Sequence, residues 1–175
     1  IDMGFTCLKI LRVELLLREE GNYCAPLGWM EEWKEADRKM QELKDGNDKM
    51  AYYQARSRSY DFNSLMHPFT NMHVTEAGLD RLEQYIADIR SIIEYKVPLA
   101  IDHFGHFGLN DCINIARRLE KYNLAWLEDL IPWQFTDQYV QLSRATTAPL
   151  GTGEDIYLSE GFEPLLASGS LTVVH

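Results

Sequence analysis

Three acidic residues follow apolar, strand-like runs at a constant spacing along the chain. Asp102 ends the run "LAID", Glu128 ends "AWLE" and Glu154 ends "GTGE", so each acid comes 26 positions after the one before it. One strand followed by one helix occupies about this length, so in a parallel barrel the three side chains would stand together at the carboxyl ends of neighbouring strands. Carboxylates held this close repel one another unless a cation lies between them. The spacing therefore predicts a cation site.

The donor atoms of this predicted site indicate the kind of ion. A set made only of carboxylate oxygens suits a hard divalent cation, and an octahedron left open for water or substrate oxygens favours Mg²⁺ over Zn²⁺ or Ca²⁺. For any single acid, a helix cap or a surface ion pair is the alternative. Because Asp102, Glu128 and Glu154 share one position in a repeat, we expect all three to face the same ion.

From Thr75 onward, strand-length apolar runs alternate with helical patterns. Thr75 is a predicted helix cap, and the helix after it carries apolar residues at steps of three and four, from Leu79 to Ile93. Three more predicted helices follow the strand-like runs "VPLAID", "NLAWLED" and "APLGTGED"; the last of them is expected to be capped by Ser159 and to end at Gly169. This alternation predicts an α/β fold with a parallel sheet.

The first part of the chain is less regular. The run "MGFTCLKIL" predicts a strand and "GWMEEWKEADRKMQELKDGN" a helix, whereas "MAYYQARSRSYDFNSLMHPFTNMHV" has no clean period. Lys9 and Asp102 are 93 positions apart, far more than one strand–helix unit needs. We therefore expect an insertion over about residues 12–74, made of a helix and an aromatic-rich loop over one end of the sheet. A surface elaboration that serves only packing or oligomer contacts is the alternative.

Composition limits the partners. The 175 residues include 17 Lys and Arg against 27 Asp and Glu, a net charge of −10 that repels nucleic-acid backbones and anionic membranes. Three cysteines without a zinc or disulfide spacing indicate reduced thiols and a cytoplasmic protein. No apolar run approaches the roughly 20 residues of a membrane span. The chain begins without Met inside a hydrophobic run, so we expect it to be part of a longer protein.

Four stretches carry a resemblance to a known family. "IDHFGHFG", "LAWLEDLIPW" and "PLGTGEDIYL" resemble the third, fourth and fifth barrel-strand motifs of the mandelate racemase/muconate lactonizing enzyme branch of the enolase superfamily, and "GFTCLKI" resembles the second. The resemblance is strongest over residues 68–175. It implies that residues 1–175 form a partial (β/α)₈ TIM-type barrel with the second to sixth strand units. The first strand, the last two units and the capping domain of the family would be missing.

The same resemblance implies a chemistry. Mg²⁺ held by Asp102, Glu128 and Glu154 would bind the carboxylate of an acid substrate and stabilise the enediolate that forms when a base removes the proton alpha to it. The acids that directly follow two of these ligands, Asp129 and Asp155, are expected to support the ligands or to face the helices rather than to bind metal.

The candidate acid–base residues are Lys9, His106 and His103. Lys9 in "LKIL" matches one lysine of the family's Lys-x-Lys motif, while Leu11 stands in place of the other, which counts against a two-base racemase. His106, in the loop after Asp102, could act as general acid on a leaving hydroxyl, and His103 is a second candidate. The alternatives are a structural lysine in the barrel interior and loop hydrogen bonding by the histidines. In related dehydratases the general base lies on later strands, which would fall beyond residue 175.

The resemblance implies an acid-sugar dehydratase acting on a small-molecule carboxylate. A racemase, epimerase or cycloisomerase of the same superfamily is one alternative. The other is a non-catalytic, metal-binding or self-assembling barrel fragment. An incomplete barrel has two open sheet edges that pair readily with other chains, so we expect a homo-oligomer or complementation by the missing barrel segments.

Overall fold

A computed structural model of the chain describes residues 4–10, 19–24, 28–61, 73–102 and 107–175, without the side chains of residues 29, 30 and 59–61. Five parallel strands form its central sheet, in the order β1, β4, β5, β6, β7. They span Leu8–Ile10 (β1), Leu99–Ile101 (β4), Trp126–Glu128 (β5), Leu150–Thr152 (β6) and Val173–Val174 (β7). The predicted α/β fold with a parallel sheet is confirmed.

Four helices connect the strands of this sheet. They are α3 (Glu76–Ile93), α4 (Leu109–Leu119), α5 (Thr136–Ala145) and α6 (Ser159–Ser168), and a 3₁₀ turn over Glu120–Tyr122 extends α4. Each strand from β4 to β6 is therefore followed by a helix and then by the next strand in the sheet. This order brings the carboxyl ends of all five strands to one edge. Within the described ranges, none of the helices combines the length and apolar character needed to cross a bilayer.

The register of the strands separates a helix-facing side from a site-facing side. Ile10 pairs with Ile101, Ile101 with Leu127, and Leu127 with Leu150. All four side chains are buried in the core with the helices. Because side chains alternate along a strand, their neighbours Lys9 and Glu128 project from the opposite face of the sheet.

Helix α3 shows how the apolar pattern builds the core. Thr75 caps it, because the Thr75 side chain accepts a hydrogen bond from the backbone N–H of Gly78 at 3.1 Å. Leu82 and Ile86 on its apolar stripe are fully buried, as their spacing predicts. Gly169 ends α6 with a positive φ of 66°, also as predicted. Ser159, in contrast, is the first residue of α6 and not its cap; Leu158 occupies the cap position.

Where the structure describes the inserted region, it contains a short ribbon and two helices. Strands β2 (Tyr23–Cys24) and β3 (His73–Val74) pair antiparallel, and helices α1 (Trp29–Leu43) and α2 (Lys49–Asp61) pack against each other. The predicted helix over α1 is confirmed. The prediction of an irregular loop is wrong for α2, because this helix exposes most of its described side chains and so shows no apolar stripe. Residues 62–72 of the predicted loop lie outside the described residues.

Candidate metal centre

Three carboxylates meet at the carboxyl edge of the sheet. Asp102 follows β4, Glu128 ends β5, and Asp129 comes next in the chain. One oxygen from each of the three lies within 4.8 Å of the others, and we call this group the carboxylate cluster. Asp102 and Glu128 are buried, with 1% and 0% of their surface exposed. The structure thus brings together the first two acids of the predicted site.

Lys9 neutralises part of this negative charge. Its Nζ atom lies 3.0 Å from Oδ2 of Asp102 and 2.7 Å from Oε1 of Glu128. Partial burial alone would lower the pKa of Lys9, but hydrogen bonds and charge interactions with the two carboxylates outweigh it and raise the pKa above its ordinary value. Lys9 is therefore an ammonium ion that bridges two strands.

Two further side chains hold Glu128. The indole N–H of Trp126 donates a hydrogen bond of 2.6 Å to Oε2 of Glu128, and Nε2 of His175 lies 2.8 Å from Oε1. Burial alone would raise the pKa of Glu128, but the hydrogen bonds from Lys9 and Trp126 and the charge of His175 outweigh it and lower the pKa. Glu128 is therefore an ionised carboxylate held in one orientation.

Trp126 and His175 are not among the site residues that the sequence predicts. Strand alternation could have indicated Trp126, because it stands two residues before Glu128 and so projects from the same face. No comparable signal exists for His175. The position of His175 depends on the pairing of β7 with β6, because His175 comes directly after Val174, which pairs with Thr152.

Two glycines of the run "GTGE" allow these close approaches. A Cβ atom on Gly151 would lie 2.8 Å from Cδ1 of Trp126, so the missing side chain leaves room for the indole ring. Gly153 has a φ of 145°, and a Cβ atom there would lie 2.2 Å from the carbonyl oxygen of His175. Both positions therefore require glycine.

Asp129 turns back toward the sheet with a positive φ of 50°. The Thr152 hydroxyl donates a hydrogen bond of 2.6 Å to its Oδ1. Burial raises the pKa of Asp129 to about 6, against the effect of the Thr152 hydrogen bond. The charges of Asp102, Glu128 and Glu154 add to this rise. The structure thus offers Asp129 as a third oxygen donor, a role that the sequence analysis did not expect.

A family model described as "Enolase C-terminal domain-like" matches residues 61–175, more than half of the chain and all of the sheet except β1. The chain belongs to this enolase-like family. The resemblance stated from the sequence motifs is confirmed. The carboxylate cluster falls inside the matched region, as do Trp126 and His175, whereas Lys9 comes from outside it.

Curated relatives of this enolase-like chain include two sugar-acid dehydratases. It is 24% identical over 104 residues to the D-xylonate dehydratase of Haloferax volcanii, which covers 59% of the chain and 25% of that enzyme. It is 26% identical over 101 residues to the D-gluconate dehydratase of Thermoproteus tenax, which covers 58% of the chain and 20% of that enzyme. The chain therefore spans a quarter or less of the length of these relatives.

Solved structures give the same fold. A mandelate racemase/muconate lactonizing enzyme-like protein from Rubrobacter xylanophilus matches with a TM-score of 0.55 and 28% identity, over 58% of this chain and 26% of that one. A member of the enolase superfamily from Salmonella Typhimurium matches with a TM-score of 0.56 and 24% identity, over 58% of this chain and 26% of that one. The five-stranded sheet is thus part of the barrel fold of this superfamily.

The other predicted site residues lie outside the carboxylate cluster or outside the described residues. Glu154 follows β6 and is exposed. Its charge acts on Asp129, but among the described residues it does not join the group within 4.8 Å. Asp155 is also exposed. His103 and His106 lie outside the described residues, so their roles stay predictions, as does metal ligation by Glu154.

The carboxylate cluster fits a hard divalent cation. Its donors are all carboxylate oxygens, the type of ligand that Mg²⁺ prefers. Asp102 and Glu128 are buried at the ends of hydrogen-bonded strands; the backbone N–H of Asp102, for example, donates to the carbonyl of Ile10 at 2.9 Å. Two of the three carboxylates are therefore held in place without a bound cation.

Proposed function

We propose that this chain forms the metal-holding part of a Mg²⁺-dependent lyase that removes the proton alpha to a carboxylate and dehydrates a sugar acid. One observation carries the proposal: the buried carboxylates of Asp102 and Glu128 converge at the ends of adjacent parallel strands in a chain of the enolase-like family. The dehydratase names of the relatives support the choice of reaction.

Asp102 and Glu128 would hold the Mg²⁺ ion, together with a third carboxylate. Glu154 is the third ligand that the sequence motifs predict, and Asp129 is the one nearest to the other two in the structure. When bound, the ion supplies a Lewis acid that stabilises the negative charge that develops on a substrate carboxylate as the alpha proton leaves.

The residues around the cluster have separate roles in this proposal. Trp126 and His175 fix the orientation of Glu128 through their contacts at 2.6 and 2.8 Å. Lys9 has a side chain that is 34% exposed, and its positive charge would attract an anionic substrate to the cluster. His103 and His106, which come between Asp102 and helix α4 in the sequence, are the candidates to protonate the leaving hydroxyl.

A second candidate function rests on the length of the chain. Because the chain spans 25% and 20% of two of its curated relatives, a metal-binding unit that self-assembles or is complemented by other barrel segments is the alternative to an enzyme active by itself. The racemase or cycloisomerase alternative would use the same metal ligands with a different set of bases.

Two measurements test the proposal. Calorimetric titration with MgCl₂ should show binding to the wild-type chain and none to E128Q, while D137N, which changes an exposed acid on α5, should bind as the wild type does. Equal absence of binding in all three would overturn the metal site. Incubation with a panel of sugar acids, assayed for 2-keto products, separates the candidates: turnover supports the lyase, and Mg²⁺ binding without turnover supports the metal-binding unit.

A further inference from the structure

We propose that Lys9 is an exchangeable counterion of the carboxylate cluster, which a divalent cation must displace before it can bind. This inference rests on the proposed metal site. Lys9 would stabilise the folded chain when no ion is bound, and it would lower the affinity of the site for Mg²⁺.

The ammonium group of Lys9 contacts both buried carboxylates of the cluster. Nζ of Lys9 contacts Oδ2 of Asp102 at 3.0 Å and Oε1 of Glu128 at 2.7 Å. A cation shared by these carboxylates would bind some of the same oxygens, at the shorter distance of about 2.1 Å that Mg²⁺ requires. Two cations on the same oxygens repel each other strongly in a site with little water. Lys9 and the ion therefore compete.

The side chains of Lys9, Asp102 and Glu128 differ in their freedom to move. The side chains of Asp102 and Glu128 are 1% and 0% exposed, whereas that of Lys9 is 34% exposed. Lysine carries its charge on a flexible four-carbon stem. The ammonium of Lys9 can therefore swing toward solvent while both carboxylates keep their positions.

The orientation of Glu128 does not depend on Lys9 alone. Glu128 keeps Trp126 on Oε2 and His175 on Oε1 when Lys9 leaves. Lys9 also contacts Asp102. Loss of Lys9 therefore removes positive charge from the cluster and leaves the contacts of Trp126 and His175 with Glu128 in place.

Three variants test this competition by calorimetric titration with MgCl₂ on the full chain. K9M keeps the length of the side chain without its charge, and we expect it to bind Mg²⁺ about tenfold more tightly than the wild type. K9R keeps the charge in a planar group that pairs bidentately with carboxylates, so we expect weaker Mg²⁺ binding. K96M is the matched control, since it removes a lysine whose ion pair with Glu94 is exposed; its affinity should stay within about twofold of the wild type.

Thermal unfolding gives a second readout. Without Mg²⁺, K9M should melt at a lower temperature than the wild type, because its buried carboxylates lose their counterion. Added MgCl₂ should raise the melting temperature of K9M by more than that of the wild type. If K9M does not fold, K9R alone still decides, since competition requires its Mg²⁺ affinity to fall.

The outcomes separate this inference from the proposed function. Wild-type Mg²⁺ binding with unchanged or weaker binding by K9M, or with unchanged binding by K9R, would overturn the counterion role and leave the metal site standing. No Mg²⁺ binding by the wild type, K9M or K9R would overturn the metal site, and the counterion role with it. Tighter binding by K9M and weaker binding by K9R, with K96M unchanged, supports both.

Discussion

Gly151 of β6 lies directly against the indole ring of Trp126 on the neighbouring strand β5, at a place where a methyl group would come within 2.8 Å of the ring. The same indole donates the hydrogen bond that holds Glu128. A residue without a side chain thus determines how a carboxylate on another strand is oriented.

The G151A variant tests this relationship. The added methyl group should push the indole away from Glu128, which should weaken Mg²⁺ binding several-fold and lower the free energy of unfolding by about 1–3 kcal/mol. Calorimetric titration and urea denaturation measure the two effects. In the double variant G151A/W126A the methyl group has no ring to displace, so the effect of G151A should be much smaller. Additive effects of the two substitutions would contradict the relationship.

The identity of the third ligand can be decided by two substitutions. We expect E154Q to weaken Mg²⁺ binding at least about tenfold and D129N to weaken it less. Glu154 is exposed and can turn toward the cluster. Asp129 is bound by Thr152, and burial raises its pKa to about 6, so it gives up a proton less readily than an ordinary carboxyl. Calorimetric titration with MgCl₂ checks this order.

The control for this comparison is E163Q, on an exposed face of α6, which should bind Mg²⁺ as the wild type does. If D129N lost more Mg²⁺ affinity than E154Q, the third ligand would be Asp129, which lies in the cluster in the structure, and not Glu154, which the sequence motif predicts.

Much of the fold follows from local sequence pattern. The constant spacing of Asp102 and Glu128 placed them on adjacent strands, because it equals one strand–helix unit and the chain repeats that unit without interruption. Thr75 was found as a cap because its hydroxyl acts on a neighbour three residues away. Such features depend on a few residues in a row, and a single sequence contains them.

The parts that were missed depend on long-range contacts or on exposed surfaces. Lys9 was placed near the site, but its bridge to Glu128 joins residues 119 positions apart, and no local pattern encodes it. The sequence pattern predicts a loop where helix α2 lies. Most described side chains of this helix are exposed, so its sequence lacks the apolar stripe that indicates a helix. The inward turn of Asp129 depends on a left-handed backbone conformation that aspartate adopts only sometimes.

Arg90 is a buried residue whose loss should destabilise the fold. Only 6% of its surface is exposed. Its guanidinium donates hydrogen bonds to the backbone carbonyls of Glu94, Val97, Tyr122 and Asn123, at 2.9 to 3.0 Å. R90M would leave these carbonyls without their donor, so we expect a loss of about 2–4 kcal/mol in the free energy of unfolding, measured by urea denaturation.

R117M is the matched control for R90M. Arg117 also donates to a backbone carbonyl, that of Ala145 at 2.7 Å, but its side chain is exposed to solvent. Water can replace this bond, so R117M should cost less than about 1 kcal/mol. If R90M and R117M lowered the free energy of unfolding equally, the hydrogen bonds of Arg90 would not stabilise the segments before β4 and β5.

Asp111 should make the stability of the chain depend on pH. Burial raises its pKa above the ordinary value of 3.8, although its hydrogen bond with His73 at 2.9 Å opposes the rise. The folded chain therefore binds this proton more tightly than the unfolded chain does. The resulting stabilisation is complete below the ordinary pKa and is lost as the pH rises through the raised value.

The D111N variant removes this titration and keeps an oxygen that can accept from His73. Between about pH 4 and about pH 7, its melting temperature should fall less, or rise more, than that of the wild type. D137N changes an exposed aspartate in the first turn of another helix and should follow the wild-type profile. If the melting temperatures of D111N and the wild type changed with pH in the same way, Asp111 would not be the cause of the pH dependence.

The place of Arg90 has a practical consequence. Its four carbonyl partners lie in the segments that lead into β4 and β5, at the amino ends of the strands, whereas the carboxylates occupy the carboxyl ends. The hydrogen bonds of Arg90 thus stabilise the amino ends of the strands, and the carboxylate cluster lies at their carboxyl ends. We therefore expect stabilising substitutions at the amino ends of the strands to offset the stability that is lost through changes among the acids, without altering the carboxylates themselves.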